Sequence, residues 1–304
     1  MKQQLIILGI ALSLLTSACY FKSDYLGNKN VIQRSKETDV FQAIELAGSI
    51  RNLKLYFSQD SAAPFIRIEV DSNILDKVAI FVKNDKLTIK NKEEYRHLQL
   101  VPSVFNIYCN AAALTEVNII GQSNVICKTP LAGELLEVRI TGSGNFIAEQ
   151  HSSITQLDVR ITSSGDAVFN GNGQTAQLNL SGSGNIELQG NYANIEGQSN
   201  GSGDITCKGN VKEINLQQSG SGDLHLTGSA DKANLQILGS GGVDAKHCTV
   251  KQLAAQISGS GNIVIEVQES LSAKIVGSGS ILYKGNPEQE NIHISGSGKV
   301  ESME

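Results

Sequence analysis

"SGSGNIELQG" (Ser181–Gly190) returns one period later as "NGSGDITCKG" (Asn200–Gly209), and the two together decide how the chain is read. The leading residues of such turns fall at Gly121, Gly142, Ser163, Gly182, Gly201, Gly220, Gly239, Gly259, Gly277 and Gly296, in steps of 18 to 21 residues. A fixed period near the low end of roughly 20 to 50 residues marks a solenoid. About 19 residues hold two short strands and two turns but not a helix pair, which needs about 33. Each repeat therefore reads as one coil of a β-solenoid.

The flanks carry strand periodicity. Four and two residues before each turn stand mostly aliphatics, as in Val138 and Ile140, Val159 and Ile161, or Leu235 and Ile237. Alternation of period two places them on one face. Four residues after each turn starts, an apolar residue stands at every coil, from Val125 and Phe146 to Ile281 and Val300. Two apolar columns astride a tight turn predict two sheets facing across a narrow core, coil bonded to coil in parallel register. One coil cannot bury its own face, so stacking is obligatory. Gly197, Ser199 and Gln218 interrupt the aliphatic columns. Buried polar groups need partners, so Ser199 and Gln218 either serve each other, hold a water, or turn outward at a bulge.

The fourth turn position holds Asn124, Asn145, Asp166, Asn185, Asp204 and Asp223 over six successive coils. Asn and Asp there bond nearby backbone, and Gly tolerates the tight corner. A calcium ladder is the competing idea, but that needs several converging carboxylates or carbonyls, and three aspartates in ten turns favour plain turn chemistry.

Residues 1–18, "MKQQLIILGIALSLLTSA", have a basic start and a short apolar run, the pattern of an export signal. Ser17 and Ala18 before Cys19 resemble the bacterial lipobox, which makes Cys19 the lipidation site, although Thr16 stands where that motif usually has Leu. Tyr20 is not the Asp that retains such lipoproteins at the inner membrane. The expectation is an envelope protein, an outer-membrane lipoprotein facing the periplasm or the surface. Residues 19–38 read as a tether and 39–304 as one domain, with repeats from about 115. The formal net charge of −5, without basic clusters, excludes a nucleic-acid footprint. Of the remaining cysteines, Cys127 and Cys207 lie too many coils apart to bridge, and only Cys109 with Cys127 is a candidate pair.

Between Val40 and Tyr108 the period is lost while strand patterns persist in "FQAIELAG", "LKLYFS", "FIRIEVD", "VAIFVKND", "KLTIKNK" and "FNIYCN". Asn84-Asp85 is a hairpin signal. This segment is expected to form irregular first coils that close the core, as terminal repeats must. The ordered set "KNDKLTIKN", "FNIYCNAAALTEVNIIGQSNV", serial Gly-Ser-Gly-Asn/Asp coils and "GSILYKGNPE" resembles the head GIN domain of putative autotransporter adhesins. The resemblance implies an all-β, right-handed parallel β-solenoid in an exported, often lipidated protein and an adhesin-like role; it brings no catalytic residues.

Chemistry is sparse. Five histidines show no metal-ligand spacing, no serine sits in a nucleophile elbow, and no metal or cofactor is called for. The rival reading is a carbohydrate-active β-helix enzyme, yet the outward Glu187 and Asp244 are three coils, about 14 Å, apart, too far for paired carboxylates. A purely structural envelope protein is the other alternative. Two outward columns stand out. Gln198, Gln217, Gln236 and Gln256 form a polar row, either an amide ladder bonded coil to coil or a ligand-binding face. Ile126, Ile147 and Val168 form an aliphatic row, either a contact patch or a surface covered by a terminal arm or a loop. The partners these imply are a membrane through the lipid anchor, envelope glycans or surface proteins, and a further copy of the chain as a homo-oligomer.

Overall fold

The computed structural model describes residues 23–303, so the export signal and Cys19 lie outside the described residues. From Glu116 onward the chain is a parallel β-solenoid of about ten turns. The strands Glu116–Gly121, Ala132–Gly142, Phe146–Ile161 and Ala167–Leu180 each pair in parallel with the next. Val125 sits over Phe146, Ala167, Ile186 and Ile205 in an unbroken inward column. These side chains are all but fully buried, and each Val, Ile, Leu or Phe so placed contributes roughly 1.5–3 kcal/mol. The uneven steps have a structural cause. The register shift between Ala148 and Ser152 takes up the two extra residues of a 21-residue coil, and the one between His225 and Thr227 takes up the extra residue of the 20-residue coil.

The turns are built by the chemistry of their fourth residue. The backbone N–H of Asn145 donates to Asn124 Oδ1 at 2.9 Å, that of Asp166 to Asn145 Oδ1 at 2.9 Å, and that of Asp223 to Asp204 Oδ1 at 2.7 Å. In these coils the position supplies one acceptor, which Asn and Asp provide equally, so either residue serves. Glycine at the third turn position is a matter of space: a Cβ on Gly203 would lie 1.7 Å from the carbonyl oxygen of Gly184.

The N-terminal part comprises β1 (Ser23–Leu26), β2 (Val31–Glu37), β3 (Ala43–Ala47), β4 (Leu53–Gln59), β5 (Phe65–Asp71), helix α1 (Ser72–Leu75), β6 (Val78–Lys83), β7 (Lys86–Asn91), β8 (Leu98–Val101) and β9 (Phe105–Ala111). β3 and β4 make a coil stacked directly on residues 116–127. β7 and β9 make another on its far side, so the coil later in sequence is the outer one. β5 and β6 then run antiparallel to β9 and β7, which stops the parallel stacking, with β6 at the edge of one sheet and β5 covered in turn by β2 in the other. Asn84 and Asp85 join β6 to β7 with φ of 51° and 56°, the type I′ geometry that suits a two-residue hairpin. The expected capping coils are thus present, in a spatial order that differs from chain order.

The tether reading of residues 19–38 is corrected over 23–37. β1 pairs with β8 and β2 with β5, in register from Val31 opposite Asp71 to Glu37 opposite Phe65. An edge strand of this kind is stabilised by main-chain bonds and has little to bury, so "VIQRSKE" shows no apolar alternation. Buried Asp71 helps fix the arm's surroundings by accepting from Ser103 Oγ at 2.7 Å, while Asn28 N–H donates to Asn73 at 2.9 Å.

Ser199 and Gln218 do point into the core, but they do not serve each other. Ser199 Oγ donates to the Gly203 carbonyl at 3.2 Å, and Gln218 Nε2 donates to the Gly222 carbonyl. Each satisfies the turn of its own coil. The candidate Cys109–Cys127 bridge is absent. Phe57 pairs with Cys109 on one side and with Cys127 on the other, which sets the two cysteines two rungs, about 9.6 Å, apart, beyond disulfide reach. Cys109, Cys127, Cys207 and Cys248 are all free and buried. Burial pushes the Cys127 and Cys207 thiols up to about 12 and the Cys248 thiol up to about 11. Because the thiolate is the nucleophile, peptide mapping after iodoacetamide treatment at pH 8 should find all four unmodified in the native protein and modified in guanidinium. Rapid native labelling of Cys127 would contradict the burial.

Candidate functional site

An amide-lined groove. The outward column three residues before each turn runs in register from Arg139 and Arg160 through Asn179, Gln198, Gln217, Gln236 and Gln256 to Lys274. At the two arginine rungs the surface is filled by ion pairs, Arg139 with Glu137 at 2.6 Å and Arg160 with Asp158 at 3.8 Å. Beyond Arg160 the column carries amides as far as Lys274, and a groove of about 750 Å³ opens over six rungs. Its lining joins the glutamine column to the neighbouring outward column of Gln177, Glu196, Asn215, Asn234, Ala254 and Ser272. Ala254 and Ser272 are the small members of that outward column, and Gly197, Leu216, Leu235 and Ala255, from the inward-facing column between the two, contribute its floor.

All four predicted glutamines line this groove. Asn234 Nδ2 donates to Asn215 Oδ1 at 2.5 Å, and Asn215 Nδ2 donates to Glu213 at 3.3 Å, so the asparagine column is tied together. Among the described residues the glutamines bond neither to one another nor to any neighbour, which leaves a row of free donors and acceptors on the sheet in place of a coil-to-coil ladder. The sheet beneath has its main-chain groups paired, so the side-chain amides are what this face offers.

The second predicted row, Ile126, Ile147 and Val168, is also in register and half-buried. It continues further than expected, because Ile126 pairs with Tyr56 and Tyr56 with Tyr108. The two tyrosine rings stack at 4.9 Å between centroids, with Arg67 4.2 Å over Tyr108 and Lys128 5.5 Å from the Tyr56 ring. β1 and β2 pair elsewhere, along β8 and β5, rather than over this row. The tyrosines were missed because the pairings join residues 70 and 52 apart that no period connects.

Ionisable groups elsewhere are engaged structurally. Glu187 pairs with Lys208 at 2.5 Å, His225 lies 3.9 Å from Asp204, and His151 sits between Asn170 at 3.2 Å and Asn172 at 3.1 Å. The hydrogen bond from Lys246 holds the Asp244 carboxyl below its ordinary range. Glu187 and Asp244 occupy the same outward column three rungs apart. Among the described residues, no three His, Cys, Asp or Glu side chains converge on a common metal position.

The sequence matches the family described as "Putative auto-transporter adhesin, head GIN domain" over residues 40–191 and again over 178–287. The chain belongs to that family. The doubled match agrees with a domain that carries an extended run of coils. No curated protein matches the sequence. Among solved structures, this head GIN chain is similar to a putative lipid-binding protein from Parabacteroides distasonis, at 25% identity and a TM-score of 0.54 over 93% of this chain and 100% of that one. It is also similar in fold to a putative adhesin from Parabacteroides merdae, at 23% identity and a TM-score of 0.50 over 93% and 100%. A putative adhesin from P. distasonis gives 21% identity and a TM-score of 0.52 over 92% and 100%. The family is thus adhesin-type, which suggests the cell surface or envelope. No helix among the described residues is long and apolar enough to cross a membrane.

Proposed function

We propose that this head GIN chain is a non-enzymatic, adhesin-like binding module of the cell envelope, whose ligand lies in the glutamine-lined groove. The observation that carries it is the row of four unpartnered amides held at rung spacing on a rigid sheet. A rigid array loses little conformational freedom on binding, and regular spacing suits repeated weak contacts that add by avidity. Envelope glycans and surface proteins are the partner classes this surface fits, with the Ile126, Ile147 and Val168 row as a second contact face through which copies of the chain can associate. The test is a glycan array run beside a reducing-sugar release assay on the same glycans. Binding without release, weakened by Gln217→Ala with Gln236→Ala, supports the proposal. Turnover of any glycan overturns the non-enzymatic reading in favour of a carbohydrate-active enzyme, and silence in both assays puts a purely structural envelope protein ahead.

The module is delivered, on this proposal, as an outer-membrane lipoprotein anchored through Cys19, for which "LLTSAC" is the support. Cells fed a clickable palmitate should label the wild-type protein and leave Cys19→Ala unlabelled. Equal labelling of the two would remove the anchor.

A further inference from the structure

We infer that the groove is built for an uncharged, linear polysaccharide lying along the solenoid axis, an inference that rests on the groove being the binding site. Charge comes first. Of its sixteen lining residues only Glu196 and Lys274 are ionised, one of each sign and four rungs apart, and the rest of the polar lining is amide or hydroxyl. Such a surface offers no net field to a phosphate, a uronate or a nucleic acid. It offers paired donors and acceptors to a ligand that carries both, as a hydroxyl does.

Geometry narrows the class. Six rungs at about 4.8 Å make a straight track of roughly 24 Å, with one glutamine or its counterpart per rung. A pyranose linked through opposite ring carbons advances by a length close to one rung, so one sugar falls on each amide and alternate sugars present the same face. An extended peptide advances about 3.3 Å per residue, falls out of step at once, and finds no free sheet edge on this face to pair with. The floor supports the same choice. Ala254 and Ser272, the small residues of the outward column, leave room there for a ring laid close to the sheet. No aromatic side chain lines the groove, so no single sugar is gripped by stacking and affinity has to accumulate along the chain.

The test is calorimetric titration of the mature chain carrying Cys19→Ala with mixed-linkage β-glucan and β-1,4-linked glucomannan as neutral probes, polygalacturonate as the anionic and chitosan as the cationic probe. Binding of a neutral polymer is expected to be insensitive to salt and to rise steeply from disaccharide to hexasaccharide to polymer. It should weaken about tenfold in Gln217→Ala with Gln236→Ala, the loss of two ordinary hydrogen bonds. Both glutamines are at the surface, so the double variant should keep wild-type stability, which thermal unfolding checks. Preference for polygalacturonate or chitosan, abolished by salt yet dependent on the glutamines, would overturn the ligand class while leaving the groove as the site. Binding that ignores the glutamines and disappears in Ile147→Asp would overturn the groove itself. Tight binding of a disaccharide would contradict accumulation along the axis, and binding of none of the four polymers would overturn the inference.

Discussion

Replacing Gly203 by alanine is expected to destabilise the protein by on the order of 4 kcal/mol, at the upper limit of what one small substitution does. The added methyl would stand 1.7 Å from the Gly184 carbonyl oxygen and within 2.9 Å of its carbonyl carbon. Both belong to the main chain of the preceding coil, so no side chain can move aside and the two turns have to part. Parting them stretches the bonds that Ser202 and Gly203 donate to the Gly182 carbonyl at 2.8 and 3.2 Å. The neighbouring Ser202→Ala, on an exposed side chain, is the control and should stay within about 0.5 kcal/mol. Urea titrations of the two variants decide the matter. Equal midpoints would mean that the glycine column is a composition bias rather than a packing requirement.

Removing residues 201–219 should leave a folded, cooperative protein, whereas removing residues 201–210 should leave none. The longer deletion joins Asn200 to Gly220, and those coils already lie in register, Gln198 facing Gln217 and Gln217 facing Gln236. Every remaining side chain keeps its face. The shorter deletion brings the turn of one coil against the strand of the next and turns apolar columns toward water, a register error that a sheet with a buried face does not tolerate. Nearest-neighbour stacking predicts the asymmetry, since a solenoid's stability is close to a sum over coils and their interfaces. Circular dichroism and sedimentation of the two deletions are the measurement. A well-folded ten-residue deletion would break the argument.

The parts of this fold that were legible in the sequence are those governed by two superposed periods. Period two assigned Val125 inward and Ile126 outward, and the 19-residue period stacked each on its counterpart, so the glutamine row could be named before any coordinate. What was illegible lacks a period. β1 and β2 are edge strands stabilised through main-chain bonds, and their exposed side chains carry no hydrophobic signature. The coil of β7 and β9 lies outside that of β3 and β4 although it follows it in sequence, so neither the Tyr56–Tyr108 stack nor the Phe57 rung separating Cys109 from Cys127 could be read. The depth of the groove was equally hidden. Gly197 was visible as an irregularity, yet a side chain there would meet Leu178 and Leu216 in the core, and that the short Ala254 and Ser272 lower the surface beside a row of free amides is a matter of three-dimensional register.

The pairing of the N-terminal arm has a mechanical consequence. On the lipid-anchored proposal, a pull on a ligand in the groove returns to the bilayer through residues 19–22, which span at most about 14 Å. The load therefore enters the body at β1, a strand held to β8 by only four residue pairs. Next in line is β2, held to β5 by seven. Peeling these two strands would lengthen the attachment by roughly 50 Å while the coils that carry the groove stay closed, so the arm would act as a shock absorber between anchor and grip. Single-molecule extension applied at residue 22 and at the groove should show a small release of that size before the solenoid gives way; a single rupture of the whole body would show that the arm bears load as firmly as the coils.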